Sequence, residues 1–385
     1  MSKRYLIKEV GTGKVLETPN EMCARVANKL ASNAINYLTE EQIAKKSVEE
    51  IARDIFNLYR LYYEAIRSLS VIPAGRTLAN DIHSVPNCVV LNIQDSLDDI
   101  MATLRDAALL QQAGCGIGFP LHLMRPTGAV TKASGGTSSG PISFLRVYNA
   151  AFGTIKQQNR HGANMSIMKV THPDILEFIH CKAKEGTIRN FNISVGLTDE
   201  FMLQVVENCA DPWVPTFNGE TWPLRRITRD SEGVVTKIEN VVMTARQVFH
   251  EIVQAPWSNG EPGCVFLDRV NQDNPLPHFG TIEASNPCGE QFLHDGDVCN
   301  LGAINAPKAF DPATGQLDVE KLKQMVRTGI MMLEDAIDTF KLPVEKVKKT
   351  SQLTRRIGLG LMGYVYSANI PIFLRFSSRI CSGTF

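Results

Sequence analysis

The sequence lacks any long apolar run. Nowhere do about 18 consecutive hydrophobic residues, the length that spans a bilayer, occur. The charged stretch Met1–Val10 is not followed by an apolar segment of signal-peptide length. These absences predict a cytoplasmic chain with no membrane partner. Net charge is missing too: 40 Lys and Arg cancel 40 Asp and Glu. That excludes a generic nucleic-acid binder, although not a local phosphate site. No two of the nine cysteines stand as C-x-x-C, so a zinc ribbon or thioredoxin motif is not indicated and no metal is expected. An odd cysteine count in 385 residues argues against a secreted disulfide scaffold. Internal repeats and low-complexity tracts are also absent.

What is present is ordinary globular composition, 44% hydrophobic and 21% charged, over a length that suits one large domain or two to three smaller ones. Residues 19–69 read as helical. Ser47 and Glu50 form a capping box, followed by Ile51, Ile55, Leu58, Tyr62, Ile66 and Leu69 at helical spacing. Pro73 to Arg76 signals a turn. Cys88–Ile93 reads as a buried strand, Ser96 and Asp99 as the capping box of a helix to about Gln112, and 114–118 and 134–140 as glycine-rich connections. Further strands are expected at 192–196 and 264–267. Thr244 caps a helix to about Ala255, and Asp318 opens a long one with Leu322, Met325, Val326, Ile330, Leu333, Ile337 and Phe340 on one face. Residues 225–241 read as a solvated hairpin turning at Glu232-Gly233. Strands alternating with helices give an α/β fold.

The residue most suggestive of chemistry is Cys288 in Ser285-Asn286-Pro287-Cys288-Gly289-Glu290. Held between proline and glycine, it belongs to a tight loop rather than a helix or central strand. An amide, Asn286, and a carboxylate, Glu290, flank it, which suits a reactive thiol as well as a structural cysteine in a turn. Cys88 and Cys299 each begin an apolar run and read singly as core cysteines. Gly114-Cys115-Gly116-Ile117-Gly118 follows a helix and leads into Phe119-Pro120, the wrong context for a dinucleotide-binding turn. Ser134–Pro141 is equally a phosphate-holding loop or a plain flexible one. Arg160–Asn164 offers donors for an anion.

Taken together, six segments resemble the large catalytic chain of ribonucleotide reductases, most closely the adenosylcobalamin-dependent class II enzymes. They are Gln111–Phe119, Gly135–Pro141, His161–Met165, Asn190–Val195, Ser285–Gln291 and Arg355–Gly360, in family order within about residues 70–363. The resemblance implies a ten-stranded α/β barrel of two five-stranded halves, with a finger loop inside. It divides the chain into a helical region 1–69, barrel residues 70–365 and a tail 366–385 unlike the family.

The resemblance also implies roles. Cys288 matches the cysteine that becomes a thiyl radical and removes the ribose 3′ hydrogen. Glu290 matches the carboxylate that takes the 3′-hydroxyl proton, and Asn286 the amide that orients the hydroxyls. Cys88 and Cys299 match the pair that reduces the intermediate and closes into a disulfide. Asn87 and Gly116 join Asn286 as substrate-binding positions. Asp95, Ser96 and Leu97, with Arg125 on the phosphates, match a site for a deoxynucleoside triphosphate or ATP effector. Lys182, Glu185 and Arg189 fall in the loop that relays effector identity to substrate choice. Expected cofactor and partners are adenosylcobalamin, a ribonucleotide, the effector and a thioredoxin-like or dithiol reductant.

The family continues well beyond Gly363 where this sequence stops at Phe385. The expectation is therefore a C-terminally truncated chain, or one piece of a split enzyme completed by a second polypeptide. Two other readings stay open: a nucleotide-binding remnant without turnover, and an unrelated cysteine enzyme using Cys288 as nucleophile.

Overall fold

The computed structural model describes residues 5–9, 11–79, 86–131, 135–155, 162–184, 186–311 and 313–363. Ser134, Arg160, His161, Glu185 and the tail 366–385 lie outside these. The principal elements run α1 (Pro19–Ala31), α2 (Val48–Arg67), β1 (Val71–Pro73), β2 (Cys88–Val90), α3 (Leu97–Ala113), β3 (Gly116–Pro120) and α4 (Pro141–Thr154). Next come β4 (Asn164–Lys169), α5 (Ile175–His180), β5 (Phe191–Leu197), α6 (Asp199–Glu207), β6 (Leu224–Arg229), β7 (Val235–Val241), α7 (Ala245–Asn259) and β8 (Gly263–Phe266). The chain continues through β9 (Ala284–Ser285), β10 (Phe292–Leu293), β11 (Val298–Asn305), α8 (Val319–Asp338) and β12 (Ile357–Met362). No helix among the described residues is long and apolar enough to cross a membrane.

Two compact units result. The first draws on the described residues within 1–87, 299–341 and 351–385. Its helices begin where capping chemistry dictates. Thr18 and Glu21 form one capping box ahead of Pro19, and Ser47 and Glu50 another. The apolar faces of α1, α2 and α8 share one core around Met22, Val26, Leu30, Tyr62, Ile66 and Met332. β11 pairs antiparallel with β1 and parallel with β12. Two expected stripe residues are exposed. Leu69 lies past the end of α2 in a left-handed conformation (φ 57°) and is exposed, and Ile330 faces solvent. Pro73 to Arg76 is not a simple turn, because a short helix starts at Gly75.

The second unit holds 88–298 and 342–350. Its centre is a parallel sheet in the order β2-β3-β4-β5-β8. β2 and β3 are buried at every residue, and β4 and β5 at nearly every one. A parallel sheet covered on both faces requires this. Residues 114–118 are therefore not a connection: from Gly116 they are a central strand. β4 gave no strand signal because Asn164-Met165-Ser166-Ile167-Met168-Lys169 has a single β-branched residue. The β6–β7 hairpin forms as expected, with Gly233 (φ 90°) in its turn.

Candidate active site

The loop carrying Cys288 is a closed hairpin within the second unit. β9 and β10 pair as Ala284↔Leu293 and Ser285↔Phe292. At the tip, Asn286 N–H donates to the Gln291 carbonyl (3.0 Å), and the Gln291 N–H donates back to Asn286 Oδ1 (3.0 Å). The Gly289 N–H donates to the Asn286 carbonyl (3.0 Å), and Gly289 takes φ 81°, a conformation that favours glycine. The side chain of Asn286 is thus part of the turn, and the residue is fully buried.

This hairpin lies directly on β3. A Cβ on Gly118 would sit 1.9 Å from the Ser285 carbonyl oxygen, and one on Gly116 2.9 Å from the Pro287 ring. The alternating glycines of β3 exist because a second backbone crosses them. The tip is then tied to neighbouring strands. Asn192 on β5 donates to the Pro287 carbonyl (2.9 Å), and Asn286 Nδ2 donates to Cys88 Sγ on β2 (3.3 Å).

Among the expected site residues, Asn286 and Cys88 are therefore in contact, and Gly116 lies beneath Pro287. Cys88 is buried, whereas Cys288 and Glu290 are exposed. Burial pushes the Cys288 thiol up, and the Glu290 charge adds to this, so Cys288 rests as a protonated thiol. In the first unit, Cys299 is buried on β11 and its carbonyl accepts from the Asn87 N–H (3.0 Å). The buried Asn87 Oδ1 has no hydrogen-bond partner among the described residues. An unsatisfied acceptor of this kind suits a ligand hydroxyl.

The root of the hairpin is also anchored. Glu283 Oε2 accepts from His122 (2.8 Å) and from Lys169 Nζ (2.6 Å), and Oε1 accepts from Thr281 (2.6 Å). Burial pushes the Glu283 carboxyl upward. The hydrogen bonds and charges of His122 and Lys169 overcome this and hold it at about 2. Burial pushes the His122 imidazole down, so it gives a neutral N–H and Lys169 is the cation of the group.

Of the expected effector residues, Asp95 and Arg125 meet closely. Arg125 Nε donates to both Asp95 carboxylate oxygens (2.9 Å each), and its backbone N–H to one of them (2.9 Å). Ser96 caps α3 by accepting from the Asp99 N–H (3.1 Å), and Leu97 is exposed. The expected capping box is only half formed, because the Asp99 carboxylate turns to the Gln94 N–H (2.6 Å). Lys182 donates to the Phe191 carbonyl (2.5 Å) and pairs with Glu261. Arg189 is exposed and lines a cleft of about 510 Å³ with Gly162, Ala163, Asn164, Asn190 and Asn192. At the loop 135–140, the anion is internal. Asp174, fully buried, accepts from the Thr127 N–H and Oγ1 and pairs with Arg225 (2.5 Å). Sequence reading missed Asn192, His122, Lys169 and Glu283 as site-supporting residues. Only Asn192 had a signal, lying in a quoted segment.

Comparison with known proteins identifies the family. The ribonucleotide reductase barrel domain matches residues 86–368, and the ribonucleotide reductase all-alpha domain matches residues 1–81. A vitamin B12-dependent ribonucleoside-diphosphate reductase of Thermoplasma acidophilum is 33% identical, over 94% of this chain and 51% of its own length. One from Mycobacterium tuberculosis is 35% identical, over 94% and 48%. A ribonucleoside-diphosphate reductase large subunit of Caenorhabditis elegans is 26% identical, over 94% and 45%. The chain spans about half the length of the curated relatives it matches.

Proposed function

The chain belongs to the ribonucleotide reductase large-chain family, and we propose that it carries the residues that reduce a ribonucleotide to its 2′-deoxy form for DNA synthesis. The observation that supports this most is the buried hydrogen bond from Asn286 to Cys88, across 198 residues of sequence. It joins the hairpin of the hydrogen-abstracting thiol to a reducing thiol.

In this reading Cys288, oxidised to a thiyl radical, takes the hydrogen atom from C3′. Glu290 accepts the 3′-hydroxyl proton as the 2′-hydroxyl leaves with a proton as water. Cys88 and Cys299 supply the two electrons and two protons and close into a disulfide, and Cys288 returns its hydrogen to C3′. A ribonucleotide and two thiols thereby become a deoxyribonucleotide, water and one disulfide. Asn286 orients the hydroxyls, and Asn87 and Gly116 are the further substrate-binding positions of this reading. Asp95, Ser96, Leu97 and Arg125 receive a deoxynucleoside triphosphate or ATP. Lys182, Glu185 and Arg189 pass its identity on, a coupling between two sites. A thioredoxin-like protein or small dithiol reopens the disulfide.

Adenosylcobalamin is the radical source this reading favours, because the relatives named above as B12-dependent are 33% and 35% identical over 94% of the chain, against 26% for the Caenorhabditis elegans large subunit. When bound, it supplies the one-electron oxidation of a thiol. The described residues fit it at that point: Cys288 is exposed, so a donor outside the sheet has access.

The test is to incubate the chain with a ribonucleotide, adenosylcobalamin, a matching effector and a dithiol, and to quantify deoxyribonucleotide. Product that disappears in Cys288→Ala is the expected result. Effector binding without product, with or without a second polypeptide supplying the remaining half in trans, would refute turnover and leave a nucleotide-binding chain.

A further inference from the structure

We propose that Glu283 is a positioning residue, which with Lys169 and His122 fixes how far the Cys288 hairpin reaches along the sheet. The inference rests on the reading of Cys288 as the radical-bearing thiol. It adds a group that touches neither substrate nor cofactor.

The geometry is a clamp at one end and a target at the other. Glu283 immediately precedes β9, five residues before Cys288. Lys169 is the last residue of β4, and His122 follows β3 by two residues. Both lie at the carboxyl ends of adjacent parallel strands. The tip lies at the opposite ends, over Gly116, the first residue of β3, and beside Cys88, the first of β2. The hairpin therefore runs the length of β3 and is held at its root by a carboxylate with three side-chain donors. Between root and tip the contact is Ser285 backbone against Gly118, which resists compression but carries no hydrogen bond that would stop sliding. Register along the sheet comes from the ends: Ile282 exchanges two hydrogen bonds with the Asn271 side chain (2.8 and 2.9 Å), the returning strand bonds Val90 of β2 through Gly296 and Asp297, and Glu283 is the charged member of the root. The tip bonds are two amides, one to a carbonyl and one to sulfur, whereas the root bonds are charge-assisted and largely buried, hence the stronger set.

A buried carboxylate is expensive to keep unless it is paired. Glu283 is 9% exposed, and its partner Lys169 spans the end of β4 to reach it. Thr281 and His122 satisfy two acceptor positions, and Lys169 supplies the countercharge that burial of the carboxylate requires. The carboxylate is thereby held from the ends of two strands, by His122 after β3 and by Lys169 of β4, rather than against one.

The experiment uses the full chain and three variants, Glu283→Ala, Glu283→Gln and Lys169→Met, with Lys169→Arg as the conservative replacement. Amide exchange is followed through 284–293, and iodoacetamide alkylation of Cys288 is timed against exposed Cys264. Loss of the clamp should speed exchange at Asn286, Gly289 and Gln291 by about tenfold or more, the scale of one charge-assisted hydrogen bond. Exchange within β3 and β4 should stay as in the parent. Cys288 alkylation should accelerate relative to Cys264, and Lys169→Arg should restore the parent values. In turnover, kcat should fall with KM unchanged. Should Glu283→Ala fail to fold, Glu283→Gln and Lys169→Met carry the test. Parent exchange and alkylation rates in those two variants overturn the proposal. A parent chain giving no Cys288-dependent product would count against the proposed activity, while the exchange and alkylation results would still decide the clamp.

Discussion

Gly118→Ala tests the packing of the hairpin most directly. The added Cβ would lie 1.9 Å from the Ser285 carbonyl oxygen, 2.9 Å from its carbon and 3.2 Å from Val90 Cγ2. An ordinary carbon–oxygen contact is well over 3 Å, so the two backbones must separate by roughly 1 Å or more. Neither backbone gives easily. β3 is a central strand with β2 and β4 on its two sides, and Ser285 is paired with Phe292 and joined to the Asn286 turn. Overpacking of this kind costs about 1–3 kcal/mol, read as a fall of several degrees in the unfolding midpoint of the second unit. The functional consequence should be larger, because about 1 Å of misplacement at a reacting group costs on the order of 10²-fold in rate. Gly116→Ala should be milder, since its Cβ meets a proline ring at 2.9 Å rather than backbone. Gly360→Ala is the control. It lies in β12 with no neighbour closer than 3.7 Å, and Ala there should be neutral or slightly stabilising. Differential scanning calorimetry and amide exchange of 284–293 supply the readouts. A Gly118→Ala chain with parent stability and parent exchange would show that the hairpin does not lie on β3.

Two further perturbations probe the other parts. Asp335 on α8 accepts from Tyr62 (2.5 Å), and burial, then the charges of Asp338 and Glu334, raise its carboxyl to about 6. A carboxyl raised in the folded state contributes stability that is full below its unfolded value near 4 and lost as pH rises through 6, about 3 kcal/mol for two units. The unfolding midpoint of the parent should therefore fall relative to Asp335→Asn between pH 4 and 7, and parallel curves would exclude Asp335 as the source. At the proposed effector residues, Arg125→Met should lose about tenfold or more in deoxynucleoside triphosphate affinity, a charged hydrogen bond's worth. Equilibrium binding measures this without turnover, and unchanged affinity would remove Arg125 from the site.

Much of the local structure was legible in the sequence, because it is made by local chemistry. The capping boxes at Ser47 and Thr244 begin helices where they were expected, each bond spanning three residues. The long helix after Asp318 and the hairpin around Gly233 likewise follow from periodicity and turn residues. Errors occurred where spacing alone does not decide the outcome, because a competing bond or a change of backbone conformation intervenes. Leu69 continues the apolar spacing of α2, but the helix has ended and the backbone has turned left-handed. Asp99 satisfies the spacing of a capping box, yet the Gln94 N–H takes its carboxylate.

The Cys288 hairpin is the harder case, because the neighbours that decide it lie far along the chain. Gly116 and Gly118 read locally as flexible connection, because glycine without context means freedom. In the fold they are among the most constrained positions, each without a side chain because Pro287 or Ser285 occupies the space. The Asn286-to-Cys88 bond crosses 198 residues and the His122-to-Glu283 bond 161. No window of sequence contains both members of either pair. The same reasoning explains why likeness to a family could name Cys288, Asn286 and Cys88 but not Glu283. The proposed substrate-facing residues carry a motif around them, whereas the proposed positioning residue needs only the right charge near a strand end. Lys169 and His122 illustrate this: one ends a strand and the other follows a strand by two residues, where a polar residue is unremarkable, and only the return of the chain at Glu283 makes the three a unit.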